Sequence, residues 1–433
     1  MPFLSNVVCR FLFIVMMCLP AIGFGDDWPH WRGPEHNGHV NESSHFASGT
    51  WPPAEAVWNI NVDVGGSGPV AAGDWIYTIG WKADYDHVYG IDALTGRMLW
   101  KQSYACPRYG RHSEGDKALY GGPSSCPALD TTTGLLYTLS TDGDLNCWNT
   151  RNNGQRVWSV NFYDTYQVKQ RPNVGRRLLR DYGYTTAPLL SGDFVIAEVG
   201  DNEGNLMAFS KTTGERLWTS ESKDPAGHTG GIVPIVVDGW PCVAVLTIRN
   251  LLIARLDNGH EGETVAEFPW VTDFANNVAT PTVQNNSVVI TSEYNQYAIT
   301  RIDVTRNGAE QIWKQPYASG VCSPVISGGH VYWCWRGVYC LDFKTGQPVW
   351  RGGRFNDTAS CLITSDHRLI VWARQGDLAL IETAHRSPKK YTEVARKSAI
   401  FEADVWPHIV LSGGRLLCKD RDGNIKCFVL SDP

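Results

Sequence analysis

The stretch Ile91–Trp100, IDALTGRMLW, decides the fold, because the chain writes it again as AFSKTTGERLW (Ala208–Trp218) and as LDFKTGQPVW (Leu341–Trp350). Asp92, Gly96 and Trp100 stand four apart, as do Ser210, Gly214 and Trp218, and Asp342, Gly346 and Trp350. A side chain of the Asp or Ser type holds turn backbone by hydrogen bonding, and the Gly accepts the positive φ of a tight turn. The Trp then anchors the strand that follows. An indole buries roughly 150–250 Å², enough to fill the gap that opens toward the rim between two wedge-shaped neighbours.

Working outward, the motif closes a longer unit that starts with a Ser/Thr-x-Pro-Val-like entry. Copies begin at Gly66, Gly121, Tyr184, Gly227, Val278, Gly320, Thr358 and Val405, eight in all. Each holds about four short alternating runs bounded by Gly, Asn and Asp, such as WIYTIG (75–80), LLYTLS (135–140) and HVYWCW (330–335), which read as antiparallel strands. Four-stranded units repeating at roughly 40–50 residues are propeller blades. The spacing therefore predicts an all-β, eight-bladed β-propeller over residues 56–433, with docking tryptophans at Trp58, Trp100, Trp158, Trp218, Trp313 and Trp350. Two degenerate copies offer Phe268 and Phe401 instead. The eighth copy lacks its final strand, while AVWNINVDV (56–64) has a strand and a Trp but no blade. Joining the two closes the ring and removes an exposed sheet edge.

Ahead of the ring, residues 1–25 read as an export signal: Arg10, the apolar run FLFIVMMCLPAIGF, and Gly23-Phe24-Gly25 before Asp26. A periplasmic or secreted protein with no integral membrane segment after signal removal is expected. Residues 26–55 read as an N-terminal arm lying over the ring. Ten cysteines follow the signal, and in an oxidising compartment they are free to pair. If Asp422-Gly423 makes a two-residue turn, Cys418 and Cys427 face each other across a hairpin and form a disulfide. The same count places Cys334 opposite Tyr339.

A net charge of −6 over 433 residues and a pI near 6.1 give no basic field for nucleic acid, and a monomer is expected. DRDGN (420–424) and DNEGN (201–205) lack the spacing and distal Glu of a calcium loop. No zinc-protease, serine-hydrolase or phosphate-loop pattern occurs.

The D-x-x-x-G-x-x-x-W repeat resembles the tryptophan-docking motif of pyrroloquinoline-quinone-like β-propellers, and the likeness covers nearly all of the chain after the signal. The arm Trp28-Pro29-His30-Trp31-Arg32-Gly33-Pro34 is similar to that of a group of exported bacterial propellers. The resemblance implies either a non-catalytic scaffold, as in the lipoprotein that helps assemble outer-membrane β-barrels, or a quinone- and Ca²⁺-dependent dehydrogenase. The adjacent cysteines of those dehydrogenases are missing, as is any C-x-x-C-H for haem. No cofactor is expected on this reading, and the best fit is a non-catalytic binding or scaffold propeller. A quinone-dependent oxidoreductase and a carbohydrate-binding or carbohydrate-processing propeller are the alternatives.

The connections between blades emerge on one face, so residues just ahead of each inner strand converge at the channel mouth. Two connections are long. The expected ligand surface comprises Arg108, Arg111 and His112 from the first, Arg176, Arg177, Arg180 and Tyr182 from the second, and His228, Asn277, Arg354 and His408 from other blades. Cationic and amide donors of this kind suit an anionic or polyhydroxylated ligand, or a protein partner.

Overall fold

A computed structural model describes residues 26–107, 121–168, 183–273 and 276–430. In it the repeats form eight four-stranded antiparallel sheets, in order 70–105, 128–161, 189–219, 233–269, 282–315, 325–352, 359–397 and 410–429. The strand Trp58–Asn61 completes the eighth sheet against Asn424–Val429, with Trp58 opposite Cys427. Helix among the described residues is confined to short pieces such as Phe162–Tyr166. Central strands are covered by neighbouring blades on both faces, so Arg368–Ala373 and Asp377–Glu382 are buried throughout. Outer strands alternate, as in Met98–Ala105, because their outward residues meet water. From the first blade to the seventh, a bulge separates the third and fourth strands where the turn motif ends. The extra residue sharpens local twist.

The motif folds as a turn with a second task. Gly96 N donates to Asp92 O (2.9 Å) and Thr95 N to Asp92 Oδ1 (2.9 Å), and Asp342 repeats both bonds with Gly346 and Thr345. Gly96 and Gly346 take φ of 69° and 71°. A Cβ at Gly96 would also stand 2.7 Å from the indole of Trp58, and one at Gly154, Gly214 or Gly346 would stand 2.5–2.6 Å from Trp100, Trp158 or Trp313. Each of these tryptophans thus lies on the turn glycine of the next blade. Trp58, Trp158 and Trp313 also donate Nε1–H to Ala93 O, Lys211 O and Phe343 O, each at 2.9 Å. Trp218 and Trp350 precede blades without the full motif; Trp350 packs edge-on against Tyr391 instead. Phe268 stays half-buried on the outer strand of blade four, while Phe401 lies beyond its blade's outer strand and meets Trp372 edge-on.

Two expectations are corrected. Cys418 pairs with Lys426, and Cys427 with Leu417, so the two sulfurs point to opposite faces of the sheet and both thiols are free and buried. The turn holds three residues, Arg421 to Gly423, closed by Asp420 N donating to Asn424 O, and one extra residue inverts the face of every later side chain. The same miscount occurs at Cys334, which stands opposite Val338. The second correction concerns the arm, which enters the ring instead of lying over it. Trp28 exchanges backbone bonds with Ala71, Pro29 O accepts from Leu129 N, His39 pairs beside Ile363, and Glu42 accepts from Gly413 N and Gly414 N. All of these partners belong to innermost strands or their turns, so the arm crosses and plugs the axial channel.

Candidate functional site at the channel mouth

Because the arm fills one end of the channel, the other end is a blind cup of about 130 Å³. Every blade except the seventh contributes to its wall. Trp31 forms the floor. Its Nε1–H donates to Thr280 Oγ1 (2.9 Å), and its ring lies so close to Gly230 and Gly231 that a Cβ there would approach to 2.8 and 2.5 Å. Side chains at those two positions would push the floor out, so glycine is required by close approach. Below it, Arg32 is wholly buried and donates to Pro281 O, Thr282 Oγ1, Asn37 O and Pro324 O.

The wall carries two more half-buried aromatics, Trp406 and Tyr294, and the guanidinium of Arg421 lies 5.6 Å over the Trp406 ring. Hydroxyl and amide groups complete it: Thr185 Oγ1 donates to Thr229 O (3.1 Å), and His228 Nδ1 meets Asn276 Oδ1 at 2.9 Å. No Asp or Glu lines the cup among the described residues.

Of the expected ligand residues, His228 lines the cup. His408 sits beneath it, edge-on to Trp31 at 5.2 Å and bonded through Nδ1 to Ile409 O. Burial lowers its pKa to about 4, so it is neutral and supports the floor. Asn277 is spent on structure: its Nδ2 donates to Thr247 O and Trp270 O, and its Oδ1 accepts from Ser292. Arg354 is exposed and outside the cup wall. Arg108, Arg111, His112, Arg176, Arg177, Arg180 and Tyr182 lie outside the described residues. Trp31, Trp406, Tyr294 and Arg421 escaped the sequence reading. Tyr294 and Arg421 belong to turns between the second and third strands, which reach the same face as the connections between blades and carry no entry motif.

A quinone held by Ca²⁺ needs carboxylate oxygens around the metal. The acid-free wall does not fit it, and no cluster of three or more His, Cys, Asp or Glu suited to a metal occurs among the described residues.

Eight four-stranded blades, six of them ending in a tryptophan, around a plugged channel define a pyrroloquinoline-quinone-like β-propeller. A family model described as outer membrane protein assembly factor BamB matches residues 84–352, and the chain belongs to that family. BamB of Burkholderia pseudomallei (strain K96243) is 24% identical over 319 residues, 69% of each chain. Quinohemoprotein alcohol dehydrogenase ADH-IIG of Pseudomonas putida is 27% identical over 158 residues, 35% of this chain and 18% of that enzyme. Among solved structures, BamB from Moraxella catarrhalis superposes with a TM-score of 0.58 at 13% identity, covering 86% of this chain and 99% of its own. Quinohemoprotein alcohol dehydrogenase from Comamonas testosteroni gives 0.61 at 13%, covering 94% and 81%. At these identities the structural likeness is one of fold.

Proposed function

We propose that the chain is an exported, non-catalytic binding propeller of the bacterial envelope, holding a protein partner at the channel-mouth face as part of outer-membrane protein assembly. The observation that carries this reading is the cup itself: an aromatic recess floored by the protein's own arm, whose wall among the described residues carries no Asp or Glu. The family match and the BamB relatives support it. Three aromatic faces beside an arginine also suit an anionic or polyhydroxylated ligand, which is the second reading.

The test is site-specific photo-crosslinking in the source cell. A crosslinker replacing Trp406 should capture an outer-membrane assembly component, whereas one replacing the exposed Arg354 should not. Absence of protein adducts at both positions, with a sugar or anion retained by the purified protein, favours the second reading and defeats the first.

A further inference from the structure

Cys322 and Cys361 meet at the joint between blades six and seven. Cys322 lies just ahead of the inner strand Val325–Ser327, and Cys361 is in the middle of the inner strand Ala359–Ile363. Their sulfurs are 3.6 Å apart and both residues are 1% exposed. Cys334 comes near through its backbone N, which donates to Cys322 Sγ at 3.5 Å. A buried cysteine alone acts as a small apolar residue, but two sulfurs in contact across separate sheets are neighbours that a bond of about 2.05 Å could join.

In the folded protein the two thiols share one hydrogen bond and differ in their surroundings. The Cys322 pKa lies below the ordinary thiol value: the hydrogen bond shared with Cys361 is the main cause, and backbone N–H donation from Cys334 and the positive charge of Arg32 act the same way against the effect of burial. The Cys361 pKa is pushed well above that value. The arm covers the pair: a Cβ on Gly38 would lie 3.6 Å from Cys361 O, and Arg32 bonds Pro324 O two residues past Cys322.

We propose that Cys322 and Cys361 form a disulfide that staples blade six to blade seven beneath the arm when the chain folds in an oxidising compartment. The co-reactant is a disulfide of the dithiol-oxidoreductase class. Cys322 thiolate attacks one of its sulfurs, giving a mixed disulfide and releasing the first thiolate, which takes up a proton. Cys361, deprotonated, then attacks Cys322 Sγ and releases the second. Two protein thiols are oxidised, and the co-reactant disulfide is reduced to two thiols. Both sulfurs are sealed in the finished ring, so the exchange precedes docking of the arm.

The experiment uses the full chain, exported by its own leader, unfolded in N-ethylmaleimide without reductant and digested for mass spectrometry. The expected result is one crosslinked peptide pair joining Cys322 to Cys361, with the other eight of the ten cysteines alkylated. Protein refolded with reductant should melt about 5 °C lower, and Cys361→Ser should melt at that lower temperature with or without reductant. Alkylation of both Cys322 and Cys361, or a bond from Cys322 to Cys334, overturns the proposal. A reductant effect that survives in Cys361→Ser overturns it too. The peptide map of the unsubstituted protein decides the matter even if that variant fails to fold.

Discussion

The two ends of the channel are built from the same eight strands and have opposite fates. At the plugged end the arm pairs with inner-strand edges, and Trp28, Arg32 and His36 are sealed. At the open end the same strands' entry residues leave Trp31, Trp406 and Tyr294 half-exposed around a recess. Eightfold repetition leaves a hole at the axis that no blade fills. A non-repeating segment closes one side, which spends that side on stability and reserves the other for binding. Substitutions at the plugged end should therefore cost folding, and those at the open end should cost binding.

The sharpest test of that division is Arg32→Ala. The change strips donors from three carbonyls and a hydroxyl around a fully buried side chain, and with about 1–3 kcal/mol for each buried acceptor left unsatisfied the expected loss is at least about 3 kcal/mol. Equilibrium denaturation should show a loss of that size. A loss below about 1 kcal/mol means that the arm is only draped in the channel. Next in size is Trp58→Ala, at about 3 kcal/mol, because the indole packs on Gly96, bonds Ala93 O and secures the strand that closes the ring.

Acid should loosen the plugged end. His30 and His36 stack at 5.0 Å. Burial is the main cause that lowers their pKa to about 4 and about 3; Lys211 adds to it for His30, and Arg32 together with His30 for His36, while Asp130 opposes it at His30. A histidine whose folded pKa lies below the unfolded value of about 6.5 binds fewer protons when folded, so its contribution is present above pH 6.5 and is lost as pH falls toward 4. Asp86, raised to about 7 mainly by burial, and Glu42, also raised, run the other way. The measurement is therefore the difference between the unsubstituted protein and His36→Gln across pH 7 to 4. His36→Gln should flatten the decline; parallel curves remove His36 from the account.

These effects also show which parts were legible in the sequence. The blades were, because Asp92, Gly96 and Trp100 recur with spacings that only one turn satisfies, and the orphan strand around Trp58 announced the closure. The site was legible only at His228. Asn277 looks like a ligand in the sequence, yet its amide bonds backbone carbonyls of blade four, at Thr247 and Trp270. Trp31 looks like part of a surface arm, yet it floors the cup, since no local pattern states that a non-periodic segment will fill an axial void. The Cys418–Cys427 error has the same source: turn length is decided by Asp420 closing on Asn424, and the dipeptide Asp422-Gly423 serves a three-residue turn as well as a two-residue one.

The smallest expected change in stability is the most informative about function. Trp406 stands half-buried in the cup wall under Arg421, outside the sheets. Trp406→Ala removes an aromatic face from the recess and one cation–π contact worth about 0.5–1 kcal/mol at an exposed site, so the melting temperature should move by no more than a degree or two. Partner or ligand capture at the cup should fall by tenfold or more, since aromatic anchors dominate interface energies. Arg354→Ala, on an exposed side chain outside the cup, serves as the matched control and should alter neither quantity. If Trp406→Ala unfolds the protein, the open end is as structural as the plugged one and the division between them fails. If capture survives while stability holds, the working surface lies elsewhere on the ring.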